Sequence, residues 1–371
     1  MTASAALLRR RHEGSADPLI RLMIVDDSQV ARAVLSRMIQ SHRDFELVAT
    51  AGTAREALDA LRTVSVDIIL LDVEMPGTTG IEALPDIIAA GKGARVLIVS
   101  SMADEGAETT VRALALGAAD TLPKPGIGNF AGRFSAVLAD KLRRIGRADR
   151  DEFVRPALAD DVPITLRAMP AGPIDCLALG ASTGGLHALI EFLRALPSHI
   201  DAPILITQHL PALFMPYFAR QLASACGRKA AVAEDGDMVK RGMIHVAPGD
   251  AHLQVEASER GARVRLERKR APSGCLPSVD PMLASVGAYY GAGGVGVMLS
   301  GMGRDGLGGA RRLVECGGAM LAQDRHSAVV WGMPRMVAQA GIASAVLPPA
   351  ELARRIGERA MSVRVEAKAW R

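Results

Sequence analysis

Aromatic residues are scarce, making up only 3% of this 371-residue chain. Proteins that bind single-stranded nucleic acid commonly stack bases on aromatic side chains, so this scarcity argues against that class. The net charge of +4 is small for a chain of this length and gives no separate indication of nucleic acid. We therefore expect no nucleic-acid partner.

The chain also lacks paired cysteines and long apolar runs. Its four cysteines form no C-x-x-C pair, which disfavours a zinc site or a disulfide framework and indicates a reducing compartment. No apolar run approaches the ~20 residues that span a bilayer, and the arginine-containing N-terminus does not look like a signal peptide. We predict a cytoplasmic protein without membrane insertion, with a disordered tail over residues 1–19.

The dominant pattern in the first part of the chain is the alternation of short apolar runs with helix-period segments. Five such runs, rich in β-branched residues and leucine, alternate with helical patterns such as 30–39, 54–61 and 109–116. This alternation predicts a parallel sheet covered by helices on both faces. We predict an α/β domain over residues 20–140, with a last helix near 130–144.

A second region of alternation begins at residue 174. It follows a stretch rich in charge, proline and alanine, residues 141–173, which we interpret as a linker. Within the second region, alternating residues between 241 and 269 are broken by turns and predict antiparallel strands inserted at one edge. We predict a second doubly wound parallel-sheet domain, Rossmann-like, over residues 174–365.

Charged and hydroxyl residues follow the predicted strands of the first domain. The set consists of Asp26, Asp27, Asp72, Ser100, Ser101 and Lys124. Ligands of open parallel sheets bind beyond the carboxyl ends of the strands, where these residues would meet. Crowded carboxylates repel one another unless a hard cation shares them, so the cluster indicates Mg²⁺.

Residues 20–140 contain four characteristic segments: IVDDS, LLDVEMPGTTG, VSS and LPKPG. With them, this region resembles the receiver domain of two-component response regulators, which has a flavodoxin-like fold. The resemblance implies that Asp72 accepts a phosphoryl group from a histidine kinase. It also implies that Asp26, Asp27 and Asp72 hold Mg²⁺ and that Lys124 pairs with the phosphoryl oxygens.

The resemblance further implies a sensing hydroxyl. Ser100 would hydrogen-bond to the aspartyl phosphate and couple it to the rest of the domain, with Ser101 as the alternative. Receivers usually carry an aromatic residue three positions before the lysine, where this chain has Thr121. This departure argues against the usual readout through an aromatic rotamer.

The stretch GASTGG, residues 180–185, ends one apolar run of the second domain and leads into a helical pattern. Such a strand–turn–helix unit can cradle a phosphate or expose a nucleophilic serine. Gly180–Gly184 matches G-x-S-x-G with Ser182 as the nucleophile, and the helix start offers free N–H groups to an oxyanion. A serine that only caps the helix explains the turn equally well.

A serine nucleophile needs a base and an acid that orients it. His209 ends the run PILITQH, the next predicted strand, so it is expected at the same sheet edge as Ser182; His326 is a further candidate base. Asp305, after the run VGVML, is expected at that edge as the acid. The order Ser…His…Asp differs from the Ser…Asp…His order of hydrolases with this motif, so such a triad would be recognised by roles.

A dinucleotide site is the rival interpretation. Gly301–Gly306 fits G-x-G-x-x-G after a predicted strand, and Asp324 lies at about the ~20-residue offset of a ribose contact. The negative charge of Asp305 would lie inside this turn, where the pyrophosphate should bind. That repulsion weakens the dinucleotide hypothesis.

Four blocks, IDCLALGASTGGLHAL, PILITQHLP, MIHVAPGDAHL and MLSGMGRDGLGGA, resemble the chemotaxis protein-glutamate methylesterase domain. Together with the receiver, the chain from about 20 to 362 is similar to the chemotaxis response-regulator protein-glutamate methylesterases. The resemblance implies phosphorylation-activated hydrolysis of glutamate methyl esters on methylated chemoreceptors, with glutamine deamidation as a related activity. A DNA-binding output domain is disfavoured because it would be short and helical.

The resemblance also implies roles for individual residues. Ser182 would attack the ester, His209 would transfer the proton and Asp305 would orient His209. The backbone N–H of Met302, assisted by Thr183, would stabilise the oxyanion. Ester hydrolysis itself would need no cofactor, a chemotaxis histidine kinase would supply the phosphoryl group, and the unphosphorylated receiver would cover the esterase site.

Overall fold

Five parallel strands form the sheet of the first domain in the computed structural model, which describes residues 18–100, 104–124, 131–147 and 164–369. Most of the predicted N-terminal tail lies outside these ranges, as do residues 148–163 of the predicted linker. The strands are β1 (Ile20–Val25), β2 (Phe45–Ala51), β3 (Ile68–Asp72), β4 (Arg95–Ser100) and β5 (Asp120–Pro123). Their order, β2-β1-β3-β4-β5, is that of flavodoxin-like folds and confirms the predicted class.

Helices cover this sheet on both faces, and several begin at sequence-encoded caps. They are α1 (Gln29–Gln40), α2 (Ala54–Leu61), α3 (Gly80–Ala90), α4 (Asp104–Ala115) and α5 (Ala131–Gly146). Ser28 and Thr53 accept hydrogen bonds from the first turns of α1 and α2, and Thr79 with Glu82 forms a capping box on α3. The sheet residues between the helical layers are almost fully buried, so the core lies on both faces of the sheet.

The second domain contains nine further strands. In chain order they are β6 (Cys176–Ala181), β7 (Ile204–Gln208), β8 (Lys229–Val232), β9 (Met243–Val246), β10 (His252–Ser258), β11 (Gly261–Glu267), β12 (Gly294–Met298), β13 (Ala319–Gln323) and β14 (Ala345–Leu347). Seven of them form one parallel sheet in the order β14-β13-β12-β6-β7-β9-β8. This architecture confirms a doubly wound parallel sheet.

The predicted antiparallel insertion differs from the structure in two details. Strands β10 and β11 do form an antiparallel hairpin, but it is a separate two-stranded sheet and not an extension of the main sheet's edge. Strand β9, expected in the same insertion, pairs in parallel with β7 and β8. Its residues Ile244 to Val246 are buried, which suits a strand inside a parallel sheet.

Six helices pack on the second sheet. They are α6 (Gly185–Ala195), α7 (Met215–Cys226), α8 (Val279–Tyr290), α9 (Leu307–Glu315), α10 (Met333–Gln339) and α11 (Pro349–Ala369). Short 3₁₀ turns precede α7 at Ala212–Phe214 and β12 at Gly291–Gly293. Among the described helices, none combines the length and the apolar character that crossing a bilayer requires.

The strand order of this sheet reverses direction between β6 and β12, which are hydrogen-bonded neighbours. From β6 the chain proceeds to β7 on one side, and β12 and β13 extend the other side. A crevice forms beyond the carboxyl ends of the strands at such a reversal. The turns after β6, β7 and β12 therefore meet at one edge, and these turns carry Ser182, His209 and Asp305.

Candidate active site

An acidic cluster lies at the carboxyl ends of β1 and β3 in the first domain. One oxygen from each of Asp26, Asp27 and Asp72 lies within 4.8 Å of the others. Asp26 and Asp72 are buried, whereas Asp27 is exposed. Three carboxylates this close together, two of them buried, fit a hard, oxygen-preferring cation such as Mg²⁺.

Lys124, directly after β5, contacts two of these carboxylates. Its Nζ lies 2.6 Å from Oδ2 of Asp72 and 3.1 Å from Oδ2 of Asp26. Burial raises the pKa of Asp72, and the hydrogen bond and charge of Lys124 only partly oppose that effect. The structure therefore brings Lys124 together with the acidic cluster, as the strand pattern predicted.

Ser100 and Thr121 lie on the neighbouring strands β4 and β5. Ser100 is the last residue of β4, but its side chain, like Ser101, lies outside the described part of the structure. Thr121 lies within β5 and is buried, and its Oγ1 atom has no hydrogen-bond partner among the described residues. A small side chain thus occupies the position where an aromatic ring was expected from other receivers.

The turn between β6 and α6 presents Ser182. Gly184 in this turn has a φ of 73°, and a Cβ atom there would lie 2.4 Å from Cβ of Val329. Only glycine satisfies both constraints. No side chain caps α6, whose N-cap is Gly184, so Ser182 does not act as a helix cap. Its hydroxyl is thus available for chemistry at the mouth of the crevice.

His209 and Asp305 form a hydrogen-bonded pair beside this turn. The Nε2 atom of His209 lies 2.9 Å from Oδ2 of Asp305. Asp305 is buried and accepts two more hydrogen bonds, from the hydroxyl of Ser278 at 2.5 Å and from the N–H of Val279 at 2.7 Å. Burial alone would raise the pKa of Asp305, but His209 and these donors lower it to about 2, so the carboxylate is ionised at neutral pH.

Ser182 and His209 line a single cavity of about 550 Å³, together with Met302 and Cys275. Among the described residues, no hydrogen bond joins the hydroxyl of Ser182 to the imidazole. Because Nε2 of His209 bonds to Asp305, Nδ1 is the ring nitrogen left to act on the serine. The three predicted triad residues are therefore placed together, with the His–Asp contact formed.

The two predicted oxyanion donors differ in availability. The backbone N–H of Met302, in the loop after β12, makes no hydrogen bond to any described residue, and Met302 lines the cavity. Thr183, in contrast, donates its hydroxyl to Oδ2 of Asp120 in the first domain at 2.9 Å. The Thr183 hydroxyl is thus occupied by the receiver in this arrangement.

The rival dinucleotide motif has another use in the structure. Gly306 is the N-cap of α9, and Asp305 lies buried against Ser278 and His209. Asp324, the expected ribose contact, accepts hydrogen bonds from the backbone N–H groups of residues 326 and 327 in its own turn. His326 therefore belongs to that turn and not to the cavity around Ser182. The dinucleotide hypothesis is not favoured.

Several supporting residues were not predicted. Ser278 holds Asp305, and its own backbone N–H donates to Nδ1 of His252 at 2.9 Å. Ser300 donates its hydroxyl to the backbone oxygen of Thr183 at 2.8 Å, and Gln208 donates to the backbone oxygen of Ser182 at the same distance. No sequence motif identifies these residues. Gln208 could have been suspected from its position, because it ends β7 next to His209.

The first domain contacts the Ser182 turn directly. The N–H of Gly184 donates to the backbone oxygen of Ala119 at 2.7 Å, next to the bond between Thr183 and Asp120. Lys141 of α5 donates to the same Asp120 oxygen at 2.7 Å. Residues of α5 also line the cavity that contains Ser182, so the receiver forms one of its walls.

Comparison with known proteins agrees with this architecture. Residues 22–129 match the family model described as response regulator receiver domain, and residues 177–356 match the one described as CheB methylesterase. The fold and the site thus define a response regulator whose output domain is of the CheB methylesterase type.

Curated relatives specify the family. A protein-glutamate methylesterase/protein-glutamine glutaminase of Azospirillum brasilense is 40% identical over 362 residues, covering 91% of each chain. One from Paramagnetospirillum magneticum is 37% identical over 359 residues, covering 90% of this chain and 94% of its relative. The crystal structure of the Thermotoga maritima CheB methylesterase catalytic domain is 34% identical, with a TM-score of 0.49, covering 50% of this chain and 99% of that one. This chain belongs to the family of protein-glutamate methylesterases/protein-glutamine glutaminases.

Proposed function

We propose that this chain hydrolyses glutamate methyl esters on methylated chemoreceptors and deamidates receptor glutamines, in adaptation of a chemotactic or related sensory pathway. The observation that carries the proposal is that His209, which lines a cavity together with Ser182, is hydrogen-bonded to the buried carboxylate of Asp305. The names of the relatives supply the substrate class, since they are protein-glutamate methylesterases/protein-glutamine glutaminases. The reaction would take place in the cytoplasm.

The geometry supports hydrolysis through a serine ester. Oγ of Ser182 attacks the ester carbonyl and its proton passes to Nδ1 of His209, while Asp305 stabilises the imidazolium. The N–H of Met302 stabilises the oxyanion, and one such donor contributes ~3–4 kcal/mol to lowering the barrier. His209 then protonates the departing methanol. A water molecule, deprotonated by His209, cleaves the glutamyl–serine ester and leaves a receptor glutamate.

The acidic cluster of the receiver supports control by phosphorylation. Asp72 would accept the phosphoryl group from a chemotaxis histidine kinase, and Asp26 and Asp27 would hold Mg²⁺ with it. The bound cation neutralises charge on the transferring phosphoryl group. Lys124, now paired with Asp72, would contact the phosphoryl oxygens instead, and Ser100 would hydrogen-bond to them. Lys124 would then leave its present contacts with Asp72 and Asp26, and the backbone at the end of β5 would move with it.

The contact of β5 with the nucleophile turn supports inhibition by the unphosphorylated receiver. We assign residues 20–140 to the receiver, 141–173 to a linker and 174–365 to the catalytic domain, with the first residues of that linker, up to Gly146, completing α5 of the receiver. In this arrangement α5 forms a wall of the cavity, which would exclude a receptor helix, and Asp120 accepts a hydrogen bond from the hydroxyl of Thr183. Phosphorylation would shift the population towards an arrangement in which both contacts are broken.

The test is methanol release from methyl-labelled receptor membranes. We expect Ser182→Ala to lower the rate by at least about 10³-fold and Asp305→Asn by about 10³- to 10⁴-fold, because each removes part of the proton relay. The control Ser41→Ala, at the C-terminus of α1, should leave the rate unchanged. Full activity of Ser182→Ala would refute the proposed nucleophile.

A further inference from the structure

Three different donor types meet at the wall of the active-site cavity. A ring nitrogen of His209, the Sγ atom of Cys275 and a carboxylate oxygen of Asp305 all lie within 4.8 Å of one another. Asp305 is buried, whereas His209 and Cys275 are partly exposed and line the cavity. The proposed hydrolysis uses the imidazole and the carboxylate, but it gives the thiol no role.

This donor set suits a different cation from that of the receiver. Tetrahedral zinc, with bonds of about 2.0–2.3 Å to nitrogen and sulfur, holds its ligand atoms about 3.5 Å apart. The present separations of 2.9 Å between His209 and Asp305 and at most 4.8 Å to Cys275 require shifts of only about 1 Å. Magnesium prefers all-oxygen sites, and thiolate with imidazole selects zinc-like ions.

We propose that His209, Cys275 and Asp305 form a binding site for a borderline-soft divalent cation, with Zn²⁺ as the ion that fits its donors best. Three protein ligands leave one tetrahedral position open, and two of these ligands, His209 and Cys275, line the cavity that contains Ser182. The cysteine spacing disfavoured a zinc site because Cys275 has no neighbouring cysteine. The fold supplies the partners instead, from residues 66 and 30 positions away.

Occupancy of this site blocks hydrolysis. A neutral imidazole carries one N–H, so coordination of the ion at Nε2 of His209 places that proton on Nδ1. Nδ1 then cannot accept the proton of Ser182. Cys275 releases its thiol proton to solvent when the ion binds, so that two anionic ligands balance the charge of the cation. The inhibition rests on the proposed function, whereas the binding of the ion does not.

Binding is tested on the full chain with Co²⁺ as a spectroscopic probe, in the presence of excess Mg²⁺. We expect one equivalent of Co²⁺ to produce a thiolate-to-cobalt charge-transfer band and intense tetrahedral d–d bands. Cys275→Ser should abolish the charge-transfer band and lower Zn²⁺ affinity, measured by competition, at least about 10-fold. The control Cys226→Ser, which alters a partly buried thiol on α7, should keep both. An unchanged band in Cys275→Ser would overturn the proposal.

Inhibition is tested by Zn²⁺ titration of methanol release. The wild type should lose activity and regain it with a chelator, while Cys275→Ser and Cys275→Ala, each compared with its own rate without Zn²⁺, should need at least about 10-fold more Zn²⁺ for the same fractional loss. Equal sensitivity of wild type and both variants would overturn the proposal. If the cobalt bands form as expected but the wild type releases no methanol from methylated receptors, the metal site stands and the proposed function fails.

Discussion

The hydroxyl of Thr183 donates to the carboxylate of Asp120 across 2.9 Å, and this bond joins the residue next to Ser182 to strand β5 of the receiver. Lys141 binds the same carboxylate oxygen at 2.7 Å, so the acceptor is held in place from its own domain. Only four residues further along, Lys124 contacts Asp72 and Asp26. One short strand thus connects the acidic cluster to the serine turn.

We expect Asp120→Asn to raise the basal activity of the unphosphorylated chain. Asn still accepts a hydrogen bond from Thr183 but lacks the charge, which accounts for roughly 1–1.5 kcal/mol of the bond, so the variant should favour the open arrangement and raise receptor hydrolysis about 5- to 10-fold. The measurement is methanol release without a phosphodonor. The comparison variant Glu108→Gln removes an exposed ion pair to Arg220 across the same contact and should change the rate less than about twofold. Equal effects of the two variants would contradict a specific role for Asp120.

Asp72→Asn should abolish stimulation by a small-molecule phosphodonor while preserving basal hydrolysis. The amide lacks the nucleophilic carboxylate, yet it keeps the shape that Lys124 contacts. The measurement is the ratio of methanol release with and without the phosphodonor, expected to fall to about one in the variant. Asp59→Asn, which alters an exposed carboxylate on α2, should respond like wild type. Stimulation that survives in Asp72→Asn would show that phosphorylation acts elsewhere.

Ser278→Ala should lower kcat about 10-fold with little change in KM. The variant removes the 2.5 Å hydrogen bond that orients Asp305. A hydrogen bond to a charged group contributes about 1.5–3 kcal/mol, and we expect part of this free energy to appear in kcat. Ser278 also caps α8, so a loss of about 1 kcal/mol in stability is expected as well and is followed separately by thermal unfolding. Ser285→Ala, on the same helix, should leave kcat unchanged. A fall in melting temperature with normal kcat would restrict Ser278 to the cap.

The pKa of Asp305, lowered to about 2, predicts a pH-dependent contribution to stability. Because the unfolded state binds the proton more tightly, the contribution is fully present above the ordinary pKa and is lost as the pH falls towards 2. It amounts to about 2 kcal/mol near neutrality. Urea unfolding of wild type and Asp305→Asn should therefore show a stability gap that shrinks by about 1 kcal/mol between pH 6 and pH 3. A gap independent of pH would mean that the carboxylate titrates normally.

The placement of Ser182, His209 and Asp305 could be predicted because each follows a parallel strand, and the carboxyl ends of parallel strands share an edge. Ser278 and Cys275 could not be predicted, because their loop reaches the site only through tertiary packing. Strand β9 was assigned to an antiparallel insertion because the turn after it, at Pro248 and Gly249, looks like a hairpin turn. The contact between Asp120 and Thr183 depends on how two domains pack, which no local pattern encodes.

The bond from Gly184 to the backbone of Ala119 has a consequence for the segment that joins the domains. Communication between phosphorylation and catalysis would pass through β5 in space and not along the covalent connection. The part of residues 141–173 that follows α5 would then serve as a tether that sets the local concentration of one domain near the other. Lengthening that tether with flexible residues should weaken re-association of the domains gradually, without altering the chemistry at either end.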